Sequence, residues 1–306
     1  MNQHARISPP TLPRRRLTAR RYVCVVPIAL ALAATENSHG QFITLADSNS
    51  VVQMDASSPS GVYRWNVQGW NQLQEQSFWS GIGDGPVAPL SVISRPSIIQ
   101  PSAREVIVNY TLAGGYSVSV DHFLTGGAPV SIGPAYDIGH AYSEMEETVT
   151  VMNLSGATLP FHLYEYSHFD ITGGYDTAVL NRGQDGLYSG ATQTYFSFYG
   201  VWDMARTGAQ HGEVAVVGTT LAKLTSGGPV TLGPPSYFDG PIGPGDLTWA
   251  LQWDLDIPAG GSMSVNNSQF IDDVRNVPEP SVGALILAAW LARSVVVRRE
   301  TNANRL

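Results

Sequence analysis

From residue 42 to residue 270 the chain is a succession of short runs in which apolar and polar side chains alternate one by one, punctuated by Gly, Pro, Asn and Asp. A period of two is that of an extended strand, whose side chains point to opposite faces in turn, so each run has one face to bury and one to leave wet. The clearest runs are 105–112 (EVIVNYTL), 116–124 (YSVSVDHFL), 147–152 (ETVTVM), 160–171 (PFHLYEYSHFDI), 192–202 (TQTYFSFYGVW), 213–217 (EVAVV), 248–257 (TWALQWDLDI) and 262–265 (SMSV). Most are rich in Val, Thr, Tyr, Phe and Trp, and Gly114-Gly115 between the first two predicts a hairpin. Only 219–225 (TTLAKLT) reads as helix, two turns stopped by Gly227-Gly228. Many short strands without an internal repeat predict an all-β fold, an antiparallel two-sheet β-sandwich.

Charge sorts along the chain. Between Gln41 and Asn276 seven basic residues stand against 22 acidic ones, a balance of −15, while the arginines gather at the two ends. A segment this acidic repels nucleic acid and anionic headgroups, and it is compatible with divalent cations or neutral glycans. Cys24 is the single cysteine and lies in the N-terminal apolar run, so residues 41–276 are without disulfides, thiolate catalysis or Cys-ligated zinc and depend on apolar burial.

The ends carry sorting signals. Arg6, Arg14, Arg15, Arg16, Arg20 and Arg21 precede an apolar run from Tyr22 to Ala34 and then small residues, the layout of a secretory signal peptide over residues 1–40, with Gln41 the expected first mature residue. At the other end Val277-Pro278-Glu279-Pro280 is followed by the apolar stretch 281–297 and Arg298-Arg299. Two prolines around Glu279 hold that segment extended. About 17 helical residues at ~1.5 Å each give about 26 Å, enough to cross a thin bilayer, with Arg298 and Arg299 kept cytoplasmic and Arg293 near enough to the end to snorkel. This tripartite tail, residues 277–306, resembles the PEP-CTERM sorting domain. The resemblance implies that Pro278, Glu279 and Pro280 are recognised by an exosortase-type membrane transpeptidase, and that the protein reaches the cell envelope, cell surface or extracellular matrix and is membrane-anchored at least transiently. The intervening segment, residues 41–276, is loosely similar to ectodomains that carry such tails.

Within that ectodomain the chemistry-bearing residues are dispersed. Glu165, His168 and Asp170 are the densest ionisable cluster, but alternation places Phe161, Leu163, Glu165, Ser167 and Phe169 on one face and His162, Tyr164, Tyr166 and His168 on the other, so Glu165 and His168 are expected to point apart. Asp254 and Asp256 share a face and are the candidate calcium ligands; no other cofactor is called for. Glu144, Glu146 and Glu147 read as a solvated strand edge. Of six tryptophans, Trp249 and Trp253 read as core, while Trp65, Trp70 and Trp79 are the candidate carbohydrate contacts. No Gly-x-Ser-x-Gly, His-Glu-x-x-His, P-loop or dinucleotide fingerprint is present. The expectation is therefore a non-enzymatic surface protein associated with exopolysaccharide. The alternatives are a carbohydrate-binding module using exposed aromatics and a polysaccharide hydrolase or lyase using scattered carboxylates.

Overall fold

The alternating runs pair into two antiparallel sheets in the computed structural model, which describes residues 41–112, 115–130, 140–171, 176–182, 189–195, 199–233 and 238–273. In chain order the elements are β1 (Phe42–Asp47), β2 (Ser50–Asp55), β3 (Val62–Val67), β4 (Trp70–Ile82), β5 (Ala88–Pro89), α1 (Leu90–Ile93), β6 (Ser97–Ser102), β7 (Glu105–Leu112), β8 (Tyr116–Val130) and β9 (His140–Asn153). They continue with β10 (Leu159–Phe169), β11 (Asp176–Arg182), β12 (Ser189–Tyr195), β13 (Tyr199–Ala205), β14 (His211–Val216), α2 (Thr219–Leu224), β15 (Phe238–Gly245), β16 (Leu247–Ile257) and β17 (Ser262–Asp273). The first sheet has the order β1-β2-β3-β4-β10-β16-β14, with β5 on β4, and the second β15-β11-β12-β13-β17-β9-β8-β7-β6. The expected all-β two-sheet architecture is what forms. The signal segment, residues 1–40, and the sorting tail with Val277, Pro278, Glu279, Pro280, Arg293, Arg298 and Arg299 lie outside the described residues. Among the described residues no helix is long and apolar enough to cross a membrane.

One strand boundary differs from the sequence reading. The run 192–202 is divided between β12 and β13, which pair antiparallel with Tyr195 opposite Tyr199. Phe196-Ser197-Phe198 continues the alternation of its flanks, so the pattern carries no mark of the reversal. The acidic run is also differently placed: β9 sits between β17 and β8, in the middle of its sheet, and while Glu144 and Glu146 face outward, Glu147 faces inward with 1% of its surface exposed. Period two forces this, because neighbours along a strand cannot share a face.

The inner faces supply one continuous core. Leu45, Val52, Trp65, Leu73, Phe161, Leu163, Phe169, Trp249, Leu251 and Trp253 from the first sheet meet Val118, Val120, Met145, Val149 and Val151 from the second. Phe169 and Trp249 stack with centroids 5.3 Å apart and planes within 5°. A smaller apolar cluster covers part of the outer face of the first sheet, where Trp79, Tyr164, Tyr166 and Ala250 pack under Leu224 of α2 and Leu232 of the segment that follows it. Glu213 of β14 ties α2 down, accepting from Thr220 Oγ1 at 2.7 Å and Lys223 Nζ at 2.5 Å.

Candidate functional site

Strand register assembles the most developed ionisable cluster on the surface. On β10 the outward positions are His162, Tyr164, Tyr166 and His168, and on β16 they are Thr248, Ala250, Gln252 and Asp254. Antiparallel pairing sets His162 directly opposite Asp254, and on the far side of β16 sets His211 of β14 opposite Gln252. Both imidazoles therefore reach one carboxylate. His162 Nδ1 lies 2.6 Å from Asp254 Oδ1 and His211 Nε2 lies 3.0 Å from Oδ2.

One amide holds that carboxylate and another holds the backbone beneath it. Gln252 Nε2 donates to Asp254 Oδ1 at 2.8 Å, while its own Oε1 accepts from the backbone N–H of Leu232 at 2.8 Å. Gln210 Oε1 accepts from the backbone N–H of Asp254 at 3.0 Å. The three ionisable side chains are partly open, at 28% exposure for His162, 34% for Asp254 and 25% for His211. Burial pushes the Asp254 carboxyl up, but the hydrogen bonds from Gln252 and His162 and the charges of His162 and His211 outweigh it and hold the group below its ordinary value. A carboxylate accepting from both rings assigns their protons to His162 Nδ1 and His211 Nε2, which turns the lone pairs of His162 Nε2 and His211 Nδ1 away from Asp254. His211 Nδ1 is enclosed, so such an assembly can take up and release a proton at His162 Nε2, whose orientation the carboxylate fixes.

A second His–Asp pair lies at the other end of the same face, where His168 Nε2 is 2.7 Å from Asp246 Oδ1. Nearby Glu75 is pushed above its ordinary value by burial, against the charge of His168. The expected opposition of Glu165 and His168 is what forms: His168 faces out and Glu165 is 1% exposed between the sheets.

The interior around Glu165 is polar to an unusual degree. Its Oε1 accepts from Gln269 Nε2 at 2.7 Å and Gln76 Nε2 at 3.2 Å, and its Oε2 from Asn267 Nδ2 at 2.6 Å. The same Gln76 amide reaches both oxygens of Glu147, at 2.8 and 2.7 Å, and Asp203 Oδ2 accepts from Trp249 Nε1 at 2.6 Å. His122 Nδ1 stands 2.9 Å from Glu147 Oε1. Three buried carboxyls thus share donors that are almost all neutral. Burial, with the charges of Asp203 and Glu147, pushes Glu165 well above its ordinary value despite the Gln76 and Gln269 bonds. Burial also pushes Asp203 up to about 6, against the donors Trp249, Asn267 and Gln269. With Glu165 and Asp203 almost fully enclosed, this network organises the core rather than meeting a ligand.

The tryptophans expected to contact sugar do not form a platform. Trp65 is 0% exposed and donates from Nε1 to Ser143 Oγ at 2.9 Å, and Trp79 is 3% exposed with Nε1 on Ser77 Oγ at 3.0 Å. Both lie beneath other elements because their strands present them to apolar layers. Trp70 alone of the three is open, 62% exposed where β3 turns into β4. Trp249 and Trp253 are core, as alternation required. Of the candidate calcium ligands, Asp256 is exposed and Asp254 is bound by the two imidazoles. Among the described residues no group of three or more His, Asp or Glu side chains is arranged to hold a metal ion. Sequence reasoning placed His162 on the correct face but did not join it to Asp254, and it passed over His211 and Gln210 altogether. A histidine in an alternating run is a signal only once the neighbouring strand is known.

No protein-family model and no curated protein matches the chain. Solved structures do. An aldose 1-epimerase candidate from Escherichia coli K12 superposes with a TM-score of 0.50 at 9% identity, over 76% of this chain and 99% of that one. What that likeness shows is the fold. A bacterial glucoamylase in complex with acarbose (TM-score 0.49, 11% identity) and a galactose mutarotase related enzyme from Lactobacillus acidophilus (TM-score 0.48, 7% identity) are similar over 81% and 76% of this chain. The chain spans 36% of the glucoamylase and 98% of the mutarotase related protein. The expectation of a non-enzymatic protein is corrected by the first of these likenesses, since the sandwich shares its fold with a protein described as an aldose 1-epimerase candidate and the fold gives no ground for assigning a purely structural role.

Proposed function

We propose that the chain is an exported carbohydrate-active protein and that His162, Asp254 and His211 carry acid–base chemistry at the hemiacetal carbon of an aldose. The observation that supports it is the convergence of two partly exposed imidazoles on one low-pKa carboxylate. In such a reaction the neutral His162 removes the proton from the anomeric hydroxyl and, as the imidazolium, delivers it to the ring oxygen, while His211, its Nδ1 enclosed, braces Asp254. The C1–O5 bond breaks, the open aldehyde rotates, and the reverse transfers close the ring on the other face. Asp254 does not touch the transferred proton. It orients His162 and favours the imidazolium that forms in each half of the cycle, while Gln252 Nε2 and His211 Nε2 keep the carboxylate from turning.

Polarimetry of a panel of aldoses checks this reading. The chain is expected to accelerate mutarotation of at least one of them, and His162→Ala and Asp254→Asn are each expected to lower that rate by about 10²-fold or more, with His168→Ala near the parent. No acceleration of any aldose, or equal rates in parent and His162→Ala, overturns it.

The compartment belongs to the same proposal and rests on the sequence. An Arg-rich leader, an acidic segment and a Pro278-Glu279-Pro280 tail together describe a protein exported into the envelope, among neutral polysaccharides, and sorted by an exosortase. Mass spectrometry of the surface-exposed protein is expected to find its C-terminus near Pro278. Recovery of peptides through Leu306 would leave only a plain anchor.

A further inference from the structure

The outer face of the second sheet carries a row of aromatic rings that no sequence pattern marked. Trp202 of β13, Phe270 of β17 and Tyr142 of β9 all point outward and all are partly exposed. Trp202 and Phe270 stand 6.0 Å apart between centroids, and Phe270 and Tyr142 also 6.0 Å apart, with the last pair stacked at 22°.

Glycines set how the outer two rings lie. Tyr142 is paired with Gly127 of β8, and a β-carbon there would come 1.9 Å from the tyrosine ring. Trp202 leans over Gly200 of its own strand, where a β-carbon would come 2.7 Å from the indole. The rings therefore occupy the space that a side chain at each glycine would fill, and both stay partly exposed.

The polar surroundings continue the row along the strands. Phe270, Ser268 and Asn266 are successive outward positions of β17, about 7 Å apart. Ser268 Oγ donates to Glu144 Oε1 at 2.6 Å, and Thr148 Oγ1 donates to Asn266 Oδ1 at 2.9 Å. Beside Asn266 the surface sinks into a depression of about 290 Å³ lined by Glu146, Glu147, Thr148, Arg206, Asn266 and Asn267. Arg206 there sits 3.5 Å from Glu146, so its charge is already matched.

We infer that the outer face of β13, β17, β9 and β8 is a binding surface for a neutral polysaccharide, whose sugar rings stack on Trp202, Phe270 and Tyr142 and whose hydroxyl groups enter the depression by Asn266. The occupant is neutral because the rim is acidic, with Glu144, Glu146 and Asp272 around one matched arginine. It is a chain rather than one sugar because the ring row and the depression are separated along β17 by about 13 Å, from Phe270 to Asn266. This surface is on the opposite sheet from His162 and Asp254 and does not depend on their chemistry. It would hold the protein on a polymer and leave the other face free.

Retention of the full chain on a β-1,4-glucan, an α-1,4-glucan, a neutral galactan and, as the anionic control, alginate tests the inference. The parent is expected to be held by at least one neutral polymer and not by alginate. Trp202→Ala and Phe270→Ala are each expected to weaken retention by roughly tenfold, the scale of losing one stacked aromatic face, with circular dichroism unchanged. Trp202→Phe keeps a ring and is expected to retain binding while losing the tryptophan fluorescence change on glucan addition. Trp70→Ala, open but remote on the first sheet, and His162→Ala are expected to bind as the parent does. Retention by none of the neutral polymers, retention by alginate alone, or unchanged binding in both alanine variants overturns the proposal. None of those results bears on the mutarotation assay.

Discussion

Thermal stability is expected to fall as the pH is raised from about 4 to about 6, the opposite of the usual carboxylate behaviour. Glu165 and Asp203 titrate above their ordinary values in the folded protein because burial penalises their charged forms. Between the unfolded value near 4 and the folded value the native state binds the extra proton, so each rise in pH favours unfolding. For Asp203 the loss runs from about pH 4 to about 6, and Glu165, raised in the same direction, adds to it. Asp203, 3% exposed, would account for roughly 3 kcal/mol over its window.

Hydrogen bonding points the same way. Gln76 Oε1, Gln193 Oε1, Asp203 Oδ1, Asn267 Oδ1 and Gln269 Oε1 are buried acceptors that find no donor among the described residues. A protonated carboxyl is both neutral and a donor, and it relieves that shortage at once. Glu165→Gln copies the neutral acid in shape and absence of charge and supplies N–H donors to the buried amide oxygens around it. It is expected to raise the melting temperature at about pH 8 and to flatten the pH dependence, read by calorimetry across the range. A parent that grows steadily more stable from about pH 4 to 6, with Glu165→Gln parallel to it, would mean that these carboxyls are ionised in the fold.

Trp249→Ala is expected to be the most damaging single substitution in the core, at about 5 kcal/mol or more. The indole is fully buried, stacks on Phe169 and donates to Asp203 Oδ2. Truncating a buried aromatic to alanine removes about 3–5 kcal/mol. Removing the indole donor leaves Asp203 Oδ2 with only the longer bond from Gln269 Nε2, at 3.3 Å, and adds about 1–3 kcal/mol. Trp249→Phe separates the two, since it keeps a ring against Phe169 and loses only the Nε1 donor. It is expected to cost about 2 kcal/mol at neutral pH and less in acid, where Asp203 is protonated. Urea midpoints at both pH values give the comparison, and equal losses for the two variants would show that the stack contributes nothing beyond the hydrogen bond.

Much of the fold was legible because alternation is local. The run 105–112 is β7 residue for residue, and 248–257 falls inside β16. The inward placement of Glu165, Trp249 and Trp253 follows from counting by twos along one strand. The six residues of α2 were marked by the helix formers between Gly218 and Gly227. The single cysteine and the charged ends were equally plain.

The candidate site was not legible in the same way. His162 and Asp254 are 92 residues apart, and only the antiparallel register of β10 on β16 makes them neighbours. His211 joins them because β14 is the next strand over, and Trp202, Phe270 and Tyr142 form a row because β13, β17 and β9 are adjacent. Trp65, Trp70 and Trp79 looked alike as sequence, yet two are buried and one is open, according to whether another layer lies over them. The sequence by itself determined which residues form strands, which faces those strands bury and the charge each segment carries, since these depend on backbone geometry within a few residues. Strand order and register depend on which distant faces pack together, so only the tertiary structure decided which side chains meet.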